Sequence, residues 1–112
     1  MMKYEEGRWY HVIPRVRRGS GTLVGWGVMR EGNKRVSSAH ERKKSKKDDA
    51  GNVIVKGAVE EAKELAVARG TPGVIIHDRH GDKIRMWRNE QWRQTHARFP
   101  EPENFHWKEE ID

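Results

Sequence analysis

The chain has 112 residues, 34% of them hydrophobic and 36% charged, and 23 Lys and Arg against 17 Asp and Glu give a formal charge of +6. That length suits one domain with a thin core, and five Trp beside several Val and Ile runs exclude a wholly disordered chain. No cysteine is present, which excludes disulfides, zinc–thiolate sites and thiol nucleophiles. No stretch approaches the ~20 apolar residues of a membrane span, and the start MMKYEEGRWYHV lacks the apolar run of a signal peptide. The expectation is therefore a cytoplasmic chain with no membrane partner.

In chain order, residues 9–13 (WYHVI) read as a first strand closed by Pro14. Residues 15–21 (RVRRGSG) read as a turn. Residues 22–30 (TLVGWGVMR) read as a second strand with Trp26 and Val28 on one face. The run Glu31-Gly32-Asn33 signals a tight turn into a third strand over residues 34–40. Residues 41–52 (ERKKSKKDDAGN) hold no large apolar side chain and read as a solvated, mobile, basic loop. Val53-Ile54-Val55 is a short β-branched run that either resumes strand three or pairs with it.

Residues 58–69 form the clearest helix. Ala58, Ala62, Leu65 and Ala66 make an apolar stripe at helical spacing, Gly70 is placed to end it and Pro72 blocks continuation. Val74-Ile75-Ile76 is continuously apolar, as in a strand covered on both faces. A turn at residues 79–82 leads to a fifth strand over residues 83–88. From Asn89 the pattern dissolves into a C-terminal tail, partly helical or extended, in which residues 91–99 suit a short helix. The expected fold is α+β, a small antiparallel sheet packed on one helix in the order β-β-β-α-β-β. Residues 1–90 form the domain and residues 91–112 the tail.

Four pieces together resemble the domain-of-unknown-function family 2188. They are YHVIP at residues 10–14, W-x-V-x-x-E-G-x-x-R at residues 26–35, A-x-x-E-A-x-x-x-A at residues 58–66 and V-I-I-H-D-x-x-G-x-x-I-R at residues 74–85. The resemblance covers about residues 9–88. It implies a compact domain of the kind found in small bacterial and phage proteins without assigned activity, and it carries over no catalytic residue. The enlarged basic loop and the tail depart from the family pattern.

No phosphate-cradling, dinucleotide or nucleophile-elbow motif is present, so no cofactor and no catalytic residue is expected. His77, His80 and Asp82 are the densest cluster of metal-ligating types. The alternative is that Asp78 and Asp82 shape the hairpin turn by side-chain to backbone bonds. The basic residues are better organised. Arg15, Arg17 and Arg18 lie in the first turn, and Lys43, Lys44, Lys46 and Lys47 in the long loop. Arg79, Lys83, Arg85 and Arg88 lie along the last hairpin. Loops projecting from one edge would clamp a phosphate backbone, and Trp87 or Trp92 would stack on a base. The leading expectation is a nucleic-acid-binding accessory protein, electrostatically driven and weak in sequence preference. The alternative is a protein-interaction module that uses Trp92, Phe99, Phe105 and Trp107 as anchors. An open sheet edge also admits a homodimer.

Overall fold

Strand β1 (Tyr10–Arg17) forms the middle of the sheet in a computed structural model that describes residues 8–32, 35–103 and 107–112. The expected turn at Asn33 and the anchor Phe105 lie outside the described residues. Strand β2 (Leu23–Arg30) pairs antiparallel with β1, and β3 (Val36–His40) antiparallel with β2. A two-stranded hairpin, β4 (Lys46–Lys47) with β5 (Val53–Val55), comes next, followed by helix α1 (Ala58–Arg69). Strand β6 (Gly73–His77) then runs parallel to β1, and β7 (Lys83–Arg88) antiparallel to β6. Helix α2 (Glu90–Arg93) and strand β8 (Glu109–Ile111) complete the chain. The order across the sheet is β3-β2-β1-β6-β7, with β8 also paired to β1.

The fold is α+β, but the sheet is mixed rather than antiparallel. The cause is the crossover: α1 carries the chain back along the sheet, so β6 starts where β1 starts and runs beside it. Four further expectations change. Strand β1 passes through Pro14 instead of ending there. It pairs with β6 over residues 10–12 and with β8 over residues 15–17. Pro14 sits between the two partners, where its missing N–H costs nothing on that edge. The loop over residues 41–52 contains half of a hairpin, whose turn is held by Asp48 accepting from the N–H groups of Ala50 and Asn52. Between residues 91 and 99 the helix extends only to Arg93. Finally, the segment after residue 90 is not detached, because it supplies α2, β8 and the cover of one sheet face.

The alternation of each strand divides the core in two. On one face Tyr10, Val12, Trp26, Val28, Val74 and Ile76 pack on Ala58, Val59, Ala62 and Ala66 of α1. The small side chains bring the helix close to the sheet. Gly57, before the helix, abuts the backbone of Lys44 and Ser45, where a Cβ would collide. The N–H groups of Ala58 and Val59 donate to the carbonyls of Arg42 and Lys43, which satisfies donors that the first helical turn would otherwise leave open. Gly70 closes the helix in the left-handed conformation at φ 66°.

On the other face Trp9, His11, Ile13, Met29 and Ile75 are buried as well. Their cover is the later chain. Trp9 Nε1 donates to the Pro100 carbonyl at 3.1 Å, the Trp9 and Phe99 rings lie 6.0 Å apart, and Trp107 lies 4.5 Å from the His11 ring. Strand β6 is therefore buried on both sides, as its apolar run implies. Among the described residues no helix is long and apolar enough to cross a membrane.

Candidate nucleic-acid interface

Strands β1, β3 and β6 all point the same way, so the segments that follow them emerge at one end of the sheet. Those segments are the β1–β2 turn with Arg18, residues 41–52 with Lys43, Lys44, Lys46 and Lys47, and the β6–β7 turn with Arg79; Arg15 and Arg17 at the end of β1 and Lys83 and Arg85 at the start of β7 adjoin them. Lys43 ties two of them together. Its ammonium lies 4.6 Å above the Trp26 ring. Burial pushes its proton affinity down, and the charges of Arg85 and then Lys44 push the same way, against Asp78. Like charges held this close repel, and an anion between them would relieve the repulsion.

The pairing of the other cations is uneven. Arg15 donates through Nε to Glu109 Oε1 at 2.6 Å, and Arg18 Nε lies 3.2 Å from Asp112 Oδ1. Arg15 and Arg17 thus lie at the end of β1 rather than in the expected turn, and Arg15 and Arg18 are engaged by carboxylates of the chain itself. Among the described residues no ion pair engages Arg17, Lys44, Lys46, Lys47, Arg79 or Arg85. Arg88 is elsewhere: it pairs across from Gly73, at the start of β6, and its guanidinium lies 5.7 Å from the Phe99 ring. Trp87 pairs across from Val74 near that same end and packs against the helix-side core under Lys63. Neither joins the loop cluster.

Among the described residues the tail aromatics Trp92, Phe99 and Trp107 are engaged internally. Trp92 is buried and stacked on His96 with centroids 3.5 Å apart. Phe99 lies against Trp9, and half-buried Trp107 lies over His11. In this arrangement they offer little surface to a partner.

His77 and His80 diverge. His80 is exposed in the turn, which Asp78 Oδ1 shapes by accepting from the N–H groups of His80 and Asp82. His77 turns inward and joins a buried chain not foreseen from the sequence. His77 Nδ1 lies 2.8 Å from the Gly81 carbonyl, and its Nε2 lies 2.8 Å from His11 Nδ1. His11 Nε2 lies 2.6 Å from Glu31 Oε2, which also accepts from the Glu103 N–H at 3.2 Å. A carbonyl only accepts, so His77 donates from Nδ1, and a neutral His77 then accepts at Nε2 from His11. Burial pushes the proton affinity of His11 down. The hydrogen bond and charge of Glu31 and the charge of Glu103 oppose that, and Lys83 adds to it. Glu31 reads as a turn residue in the sequence, and a His in an apolar strand reads as an isolated polar group. Only the folded sheet makes them neighbours. Among the described residues no group of three or more His, Asp and Glu side chains is arranged to hold a metal.

No family model, no curated protein and no solved structure matches this chain. The likeness to family 2188 accordingly rests on the four sequence pieces alone.

Proposed function

We propose that the chain is a small nucleic-acid-binding protein that acts by electrostatic contact and catalyses no reaction, with the loop end of the sheet as its contact surface. One observation carries the reading: the cations of three segments gather at one end of the sheet, and Arg17, Lys44, Lys46, Lys47, Arg79 and Arg85 make no ion pair there among the described residues. Phosphate contacts of this kind fix position without reading sequence, so low sequence preference is part of the reading.

The test is the salt dependence of binding to a short labelled duplex. Neutralising about five phosphates gives a slope of log K against log salt of about −4 to −5. Affinity that stays level between about 50 and 200 mM salt would sink the reading.

A further inference from the structure

Strand β8 occupies a singular position. It adds to β1 in parallel over Arg15, Val16 and Arg17, beyond the point where β6 stops. The Arg18 N–H donates to the Ile111 carbonyl at 2.7 Å, so the addition reaches into the first turn. The carboxylates it brings lie on two arginines of the proposed contact surface, Glu109 on Arg15 and Asp112 on Arg18. Glu110, between them, lies 3.8 Å from Lys108 instead. An extended segment whose carboxylates meet arginines here stands in for the oxygens of a phosphate chain.

We propose that β8 is an internal competitor of the anionic ligand: Glu109 and Asp112 cover Arg15 and Arg18, and β8 leaves β1 when those arginines take phosphate. The proposal rests on the reading of the loop end as a polyanion site.

The strengths of the contacts suit a cover that comes off. The β8 ladder is three residues long. The Arg18–Asp112 pair is exposed at both ends, with 64% and 89% of the side-chain surfaces open, and such pairs hold weakly and weaken further with salt. The Arg15–Glu109 pair is the stronger, about one quarter exposed on each side and joined by a short charge-assisted bond. The strand is seated by Trp107, whose N–H donates to the Gly81 carbonyl and whose ring lies on His11.

The test compares three full-length proteins: the parent, the double variant Glu109→Gln with Asp112→Asn, and the control Glu101→Gln with Glu110→Gln. Both variants gain the same net charge, but only the first uncovers the arginines. Binding of a labelled DNA duplex is measured against salt. The first variant should steepen the slope of log K by about 2 beyond the control and bind tenfold or more tightly near about 0.1 M salt. Equal shifts in the two variants mean that the carboxylates act only through net charge, and the proposal falls. A second readout needs no nucleic acid: phenylglyoxal modification followed by mass spectrometry. Arg15 and Arg18 should react faster in the first variant than in the parent and the control. If no form binds duplex, the nucleic-acid reading falls. The cover is then judged by modification alone, and equal reactivity of Arg15 in all three proteins overturns it.

Discussion

At the scale of the residue, the buried chain Glu31–His11–His77 joins side chains from β1, β6 and the segment after β2. Its side chains are almost wholly removed from water, and its hydrogen bonds are short, 2.6 Å from His11 to Glu31 and 2.8 Å on either side of His77. Glu31→Ala strips His11 Nε2 of its carboxylate and the Glu103 N–H of its acceptor. We expect a loss of about 3 kcal/mol, because removing one partner of a buried pair leaves the other desolvated. Urea unfolding of the two proteins measures it. The sign of the pH effect follows from His11. Burial holds its proton affinity in the folded chain below the usual histidine value, so the unfolded chain binds a proton that the folded chain resists. Stability from this group is then present above pH about 6.5 and is lost as pH falls through the histidine range. The groups that face His11 among the described residues are Glu31, Glu103, Lys83 and His77. A urea midpoint that falls between pH about 7.5 and about 5.5 would bear this out, and a level midpoint would contradict it.

At the scale of the element, the joint between the ends of α1 and β7 carries a second prediction. Asn89 is buried, accepts the Gln91 N–H as the cap of α2, and donates through Nδ2 to the carbonyls of Ala66 and Thr71. One side chain therefore begins a helix and ties it to the last turn of another. Asn89→Ala should cost about 2 kcal/mol, from a lost cap and a Thr71 carbonyl left without its donor, while the Ala66 carbonyl keeps the N–H groups of Gly70 and Thr71. Thermal unfolding reads it, and a change within a few tenths of a kcal/mol would show the joint to be idle. Elements of this kind were unevenly legible in the sequence. The helix was plain because its Ala stripe, its Gly cap and the following Pro are local signals. Helix α2 was blurred because four residues carry no period. The hairpin inside the basic loop was missed because its strands lack alternation, and Asp48, read as part of a mere charge run, is the side chain that closes its turn.

At the scale of the whole molecule, charge is distributed by topology. The loop end and the opposite end of the sheet both carry cations, but they differ in what surrounds them. Lys46→Ala with Lys47→Ala removes two exposed charges from the loop end. It should flatten the slope of log K against log salt for duplex DNA by about 2. Arg88→Ala, made at the far end beside Phe99, should leave the slope unchanged. A like effect from both would mean that net charge alone governs binding and that no end of the sheet is privileged.

Local signals in the sequence determined the α+β class, the strands either side of the tight turns, the helix and its ends, and the excess of positive charge on the connections. They did so because turn chemistry, capping and alternation act over a few residues. The tertiary structure alone decided three things. The crossover made the sheet mixed. The chain after residue 90 became the cover of the second face, and this drew Trp92 and Trp107 inward. Residues far apart in sequence became partners: Glu31 with His11 and His77, and Arg15 with Glu109, 94 residues later. Such pairings depend on strand register and on which face a neighbour covers, and no short stretch of sequence encodes either.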